Sequence, residues 1–245
     1  MKKIICENDK ILGQKAAFHI AGLINQTIKN KGGARMLVST GASQFTTFEA
    51  LIALDIDWSK VELFHLDEYI NLPQTHPASF IKYLKERFIN KLKVGFKKVH
   101  FVDTSAGAEN IIAALSEEIS RDIIDLGVVG IGENAHIAFN DPPADFDCEE
   151  AYKIVTLDEA CRRQQLGEGW FETFGDVPKH AISMTPKQIL KCSYIISVVP
   201  YKVKAKAVHD TLKAAEITNM IPATVLRTHS DWTLYLDTES ASMLD

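Results

Sequence analysis

Two adjacent carboxylates, Asp67 and Glu68, and a histidine, His136, set among Asn134, Asn140 and Asp141, are proton-transfer groups. A carboxylate in a crevice can act as a general base, and an imidazole oriented by an amide and a carboxylate can shuttle protons near neutral pH. Adjacent side chains of an extended segment point to opposite faces. Asp67 and Glu68 therefore do different jobs, one facing the crevice and the other capping or pairing. Upstream lies a small-residue turn, Ser39-Thr40-Gly41-Ala42-Ser43-Gln44, leading into a helical stretch. Free amides, a helix N-terminus and the hydroxyls of Thr40 and Ser43 make such a turn an anion cradle. Downstream, Lys202, Lys204 and Lys206 stand at i, i+2 and i+4 and cannot share one helical face. Lys202, nearest the preceding apolar run, is the candidate for the crevice, and the other two read as solvated.

Each feature also has an ordinary structural reading: an N-capped turn, solvated loop acids, a packed histidine, a charged helix face. Together they suit proton-transfer chemistry on a small phosphorylated molecule. Gly130-Ile131-Gly132 is not a dinucleotide fingerprint, since Ala135 stands at the third glycine and the turn does not open a first βαβ unit. No Ser or Cys sits in a nucleophile elbow. Cys6, Cys148, Cys161 and Cys192 are scattered without CxxC or Cys/His metal spacing, so no metal is expected and the thiols read as reduced.

The elements that must position these groups alternate along the chain. Helical spacing runs over Ile11–Lys29, Thr46–Leu54, Ser79–Lys91, Ala108–Arg121, Leu157–Gln165 and Lys202–Ala214. Buried strands read at Met36–Gly41, Val61–Leu66, Val99–Phe101, Ile123–Gly130, Tyr194–Val199 and Thr233–Asp237. Interleaved in this way they predict an α/β fold: one doubly wound, mostly parallel sheet with helices on both faces, Rossmann-like, as a single domain over residues 1–245. Ligands of such sheets bind beyond the strand C-terminal ends, where all four chemical segments fall. The glycines and Trp170 of the segment from Asp145 to Gly175 suggest a mobile lid.

Of 245 residues, 46% are hydrophobic and 24% charged, a globular composition able to bury a sizeable core. The net charge of −5 argues against nucleic-acid or anionic-membrane partners, while a local cradle can still hold a phosphate. The charged N-terminal residues and the absence of a 20-residue apolar run predict a cytoplasmic protein.

Thr40-Gly41-Ala42-Ser43, Leu66-Asp67-Glu68-Tyr69 with Leu72-Pro73 and His76-Pro77-Ala78-Ser79, and Gly130 through Pro142 resemble the glucosamine-6-phosphate deaminase (isomerase) family. Val177-Pro178-Lys179-His180-Ala181 and Lys202 with Ala205 extend the likeness along nearly the whole chain. The resemblance implies a reaction without cofactor: glucosamine 6-phosphate and water give fructose 6-phosphate and ammonia. It implies that His136 opens the sugar ring, that Asp67 moves a proton from C2 to C1, and that Asp141 and Asn134 tune His136. Thr40, Gly41, Ala42, Ser43 and Lys202 would hold the phosphate.

Four positions depart from the family pattern. Asn134 stands where many members have Asp, Asp141 where Glu is usual, and Ala135 where Gly is found. No arginine matches the phosphate-binding one cleanly; Arg162 or Arg163 is the replacement the sequence offers. These departures fit a branch acting on another amino-sugar phosphate. The basic cluster of allosterically activated hexamers is not recognisable, so no such regulation is expected, and a homo-oligomer is left open. Two other readings are a lactonase of the same superfamily, with His136 activating water, and a non-catalytic sugar-phosphate sensor. Ile137-Ala138-Phe139-Asn140 and Asp67-Glu68-Tyr69 favour the deaminase, and the presence of both proton-transfer residues favours turnover.

Overall fold

The computed structural model of the protein describes residues 1–167 and 169–244. In chain order its strands and helices are β1 (Lys2–Cys6), α1 (Asp9–Lys31), β2 (Ala34–Val38), α2 (Phe45–Ile52), β3 (Val61–His65), β4 (Asp67–Tyr69), α3 (Phe80–Arg87), β5 (Lys98–His100), α4 (Ala108–Ser120), β6 (Leu126–Val128), β7 (Tyr152–Thr156), α5 (Glu159–Gly167), β8 (His180–Met184), α6 (Pro186–Ile189), β9 (Tyr194–Val199), α7 (Ala205–Lys213) and β10 (Trp232–Asp237).

Seven strands form one sheet in the order β1-β10-β9-β6-β2-β3-β5, with every neighbouring pair parallel. Parallel strands are covered on both faces, and every residue of β2, Ala-Arg-Met-Leu-Val, is buried. Alternation then splits the core. Met36 and Val38 face the layer of α1 and α2, through Leu12, Ile20 and Phe48. Leu37 faces the opposite layer with Leu115 of α4, Ile189 of α6 and Val208 of α7. The doubly wound sheet expected from the sequence is therefore what forms.

Local chemistry sets the element ends. The Asn8 side chain accepts the Ile11 N–H at 2.9 Å and starts α1, with Asp9 in the first turn and Lys29 and Lys31 in the last, each complementing the helix dipole. Ser79 caps α3 in the same way, accepting from Lys82 N–H.

Three features differ from the sequence reading. β1 pairs in parallel with β10 as an edge strand. A second, antiparallel sheet, β4-β8-β7, stands beside the first, and β4 contains Asp67 and Glu68. The helix expected from Lys202 begins at Ala205, after a tight 3-10 turn over Lys202–Lys204. Among the described residues no helix is long and apolar enough to cross a membrane.

Candidate active site

The strand order reverses between β2 and β6: β3 and β5 continue from β2, while β9, β10 and β1 lie beyond β6. Beyond the C-terminal ends of these two strands lies the crevice that such a reversal opens. A cavity of about 190 Å3 occupies it, lined by residues 39–43 after β2, Asp67, Gly130–Gly132 and His136 after β6, and Tyr201, Val203 and Lys204 after β9. Thr40, Gly41, Ala42, Ser43, Asp67 and His136, far apart in the chain, thus share one wall space.

The turn after β2 is pinned to its neighbour. Ser39 N–H donates to the Val128 carbonyl at 2.8 Å, and Ser39 Oγ accepts the Gly130 N–H at 3.0 Å. Gly41 takes φ 97°, where a side chain would be strained, and Ala42–Gln44 then begin a 3-10 turn leading into α2. The first amides of a helical turn have no partner within it and can meet an anion.

Asp67 and Glu68 divide their roles as alternation requires. Glu68 is a structural acceptor: it takes the N–H groups of Tyr69 and Ile81 and the Ser79 hydroxyl, each at 2.9 Å, and so fixes the start of α3. Asp67 instead faces the cavity and is only 5% exposed. Burial, and then the nearby charge of Glu68, push its carboxyl well above the ordinary carboxylate range. A carboxylate destabilised in this way is a stronger proton acceptor.

His136 sits on a tight loop whose ends meet: Gly132 N–H donates to His136 O at 2.9 Å. The loop needs glycine at 132, because a Cβ there would fall 2.3 Å from the imidazole Cε1 and Nε2. On its other side, His136 Nδ1 lies 3.1 Å from Asp141 Oδ1, off the line of a hydrogen bond. Asn134 links the two, accepting His136 N–H and donating to Asp141 Oδ1, both at 3.1 Å. Burial raises the Asp141 carboxyl, but His136 and Asn134, with the Asp158 N–H, outweigh it and leave Asp141 below its ordinary value. Asp141 therefore remains an anion behind the imidazole, and neither it nor Asn134 lines the cavity. Buried Asn140 anchors the loop by donating to the carbonyls of Ile137 and Met184, each at 2.8 Å.

Ala135, where the sequence pattern suggested glycine, has φ 66° and is buried. A non-glycine residue in the left-handed region costs roughly 1–2 kcal/mol. Ala135→Gly removes that strain but loosens the unfolded chain by about 0.4–1 kcal/mol. A net gain between about zero and 1.6 kcal/mol is expected, a rise of at most about 6 °C in the unfolding midpoint by calorimetry.

Two expected phosphate contacts are not where the sequence placed them. Lys202 is exposed and outside the cavity lining, and buried Lys204 lines it instead. Tyr201 adopts φ 80°, its N–H held by Asp237 at 3.0 Å, which redirects the chain after β9. The next residues form a single 3-10 turn, and its third residue is the one carried inward. Arg162 is also committed elsewhere. Its guanidinium donates to the carbonyls of Phe174 and Val177 at 2.8–3.2 Å and lies 4.2 Å over the Phe174 ring, bracing α5 against the following loop. Arg163 pairs with Glu159 one helical turn away.

The cavity has a further wall formed by Trp170, which the sequence reading singled out, and by Gln164 and Gln165, which it did not. Gln164 accepts the Glu133 N–H at 3.1 Å and Gln165 accepts the Tyr69 hydroxyl at 2.8 Å, so α5 is tied to the loop after β6 and to β4. Only tertiary contact reveals them. The Asp145–Gly175 segment contains β7 and α5, and Glu168 within it lies outside the described residues.

Residues 7–235 match the family described as glucosamine-6-phosphate isomerases/6-phosphogluconolactonase. A glucosamine-6-phosphate deaminase of Thermoanaerobacter sp. (strain X514) is 34% identical over 250 residues, covering 100% of this chain and 95% of that protein. A solved structure described as a monomeric glucosamine-6-phosphate deaminase superposes with TM-score 0.90 at 30% identity, over 99% of this chain and 100% of that one. A 6-phosphogluconolactonase from Thermotoga maritima shares the fold, with TM-score 0.79 at 17% identity over 96% of this chain and 99% of its own. The chain belongs to the glucosamine-6-phosphate isomerase/6-phosphogluconolactonase family.

Proposed function

We propose that the protein is an enzyme that deaminates and isomerises glucosamine 6-phosphate to fructose 6-phosphate and ammonia. The observation that carries this reading is that Asp67 and His136 line one cavity together with the small-residue turn 40–43 and Lys204. The names of the matching relatives support the same substrate.

In the proposed mechanism the phosphate lies on the amides of the Gly41–Ser43 turn, the hydroxyls of Thr40 and Ser43, and the Lys204 ammonium. His136 accepts the C1 hydroxyl proton and delivers a proton to the ring oxygen, opening the pyranose. The Asp141 carboxylate stabilises the imidazolium formed between these transfers. Asp67 then removes the C2 proton, giving an enolamine, and returns it to C1. The resulting C2 imine adds water and loses ammonia to leave the ketone. Gln164, Gln165 and Trp170 close the site from bulk water.

The reading is tested by incubating the purified protein with glucosamine 6-phosphate and measuring ammonia and fructose 6-phosphate in equal amounts. Acid release from a phosphogluconolactone without ammonia would instead support a hydrolase. Binding without turnover of either would make it a sensor.

The two lysines give a second check. A hydrogen bond to a charged group contributes about 1.5–3 kcal/mol, so Lys204→Ala is expected to raise KM about 10- to 100-fold. Lys202→Ala, at an exposed position, is expected to leave KM within about two-fold. Steady-state kinetics of both variants measures this, and the reverse order would return the phosphate to Lys202.

A further inference from the structure

We propose that the pocket behind His136 is a binding site for a thiophilic divalent cation, zinc-like in character, and that filling it switches the enzyme off. Among the described residues, His136 Nδ1, a carboxylate oxygen of Asp141 and Sγ of Cys161 lie within 4.8 Å of one another. Imidazole, carboxylate and thiolate are together the donor set of tetrahedral zinc, with Zn–N and Zn–O near 2.0–2.2 Å and Zn–S near 2.3 Å. A tetrahedral ion separates such donors by roughly 3.3–3.8 Å, so the cluster needs only a modest contraction. A water can complete the four.

The spacing of the chain does not announce this site. Asp141 follows His136 by one loop, but Cys161 arrives on α5 from beyond β7. Independent support comes from the imidazole. His136 is 9% exposed, and its buried Nδ1 faces Asp141 Oδ1, its ion-pair partner, at 3.1 Å, so two of the three donors already converge. A metal ion bonded to both would replace that pairing with two coordinate bonds. Charge also balances: Asp141 and a Cys161 thiolate offset a divalent ion, so the filled pocket is neutral. Binding thus breaks the S–H bond, forms the S–metal bond and releases one proton to solvent.

Cys161 and Asp141 do not line the cavity, so the ion would sit behind the ring rather than in the substrate's place. Metal on Nδ1 leaves the remaining proton on Nε2, and His136 can no longer accept one from the sugar. The inhibitory consequence rests on the deaminase reading; the metal site itself does not.

The test uses cobalt(II) as the probe on the full chain. One equivalent is expected to give a thiolate-to-cobalt charge-transfer band in wild type and in Cys148→Ala, and none in Cys161→Ala or Cys161→Ser. One equivalent of zinc is expected to lower wild-type ammonia release by about 100-fold or more, reversibly with a chelator, and without competition from substrate. Each Cys161 variant, compared with its own metal-free rate, is expected to lose that sensitivity. Absence of the band in wild type, or its persistence without Cys161, overturns the proposal. The wild-type spectrum decides even if the variants do not fold. A cobalt band in a protein that never releases ammonia would instead overturn the function and leave the metal site standing.

Discussion

Asp67→Asn is expected to lower turnover by about 10²–10⁴-fold while leaving the affinity for a non-isomerisable sugar phosphate within about three-fold. The amide matches the carboxylate in size, so the cavity keeps its shape, and the turn at residues 40–43 is untouched. What disappears is the only feature that matters for C2, a basic oxygen. Stability is expected to move the other way. Burial and the charge of Glu68 raise the folded-state pKa of Asp67 above its unfolded value. The raised value favours the neutral acid, so its contribution is fully present below the unfolded pKa and is lost as pH rises through the folded one. Asparagine is neutral throughout. The variant should therefore unfold at a higher temperature than the parent near neutral pH and at a similar temperature in acid. In the parent, kcat/KM should fall as pH drops through the raised pKa, at a higher pH than an exposed aspartate would give. Ammonia release, ligand titration and thermal unfolding at two pH values read all three effects. A variant with the parental rate would remove Asp67 from the mechanism.

Gly132→Ala is expected to lower kcat/KM by about 100-fold with the sheet intact, because small displacements of a reacting group carry penalties of that size. The added Cβ would stand 2.3 Å from Cε1 and Nε2 of His136 and 2.5 Å from Cδ2, distances that real atoms do not tolerate. The loop cannot open to make room, since the Gly132 amide is bonded to the His136 carbonyl and Asn140 ties the following turn to β8. The ring must swing, and it leaves Asp141. Overpacking of this kind costs about 1–3 kcal/mol of stability. Kinetics together with the imidazole nitrogen signals by NMR would check the displacement. Parental kinetics with unshifted signals would mean that the ring does not press on Gly132 in the working enzyme.

The parallel sheet was legible because its strands are buried on both faces and read as apolar runs, as Tyr194–Val199 does. β1 escaped for the opposite reason: Lys2 and Lys3 place charges on an edge strand that one neighbour covers. β4, three residues long and carrying two acids, resembles a loop until Ser183, Ile182 and Ala181 are found opposite it. The site shows the same division. Asp67, His136 and the Thr40–Ser43 turn were legible because polar groups at the ends of buried strands are unusual, and the division of labour between Asp67 and Glu68 follows from strand alternation alone. Lys204 was not, since the left-handed Tyr201 shifts which lysine turns inward and no feature of Pro-Tyr-Lys-Val-Lys marks that residue in advance. Gln164, Gln165 and Cys161 belong to a helix whose own pattern is amphipathic and unremarkable, and only its placement across the cavity gives them meaning.

The pairing of β1 with β10 joins residues near the two ends of the sequence, Lys2 opposite Thr233 and Cys6 opposite Asp237. During synthesis β1 has no partner until β10, far later in the chain, has been made. Until then β9, too, has a bare flank, because β10 lies between them. Nascent chains would carry β1 without its partner until β10 is made, and β9 with a bare flank over the interval between Val199 and Trp232, and those borders are where a chaperone is expected to bind.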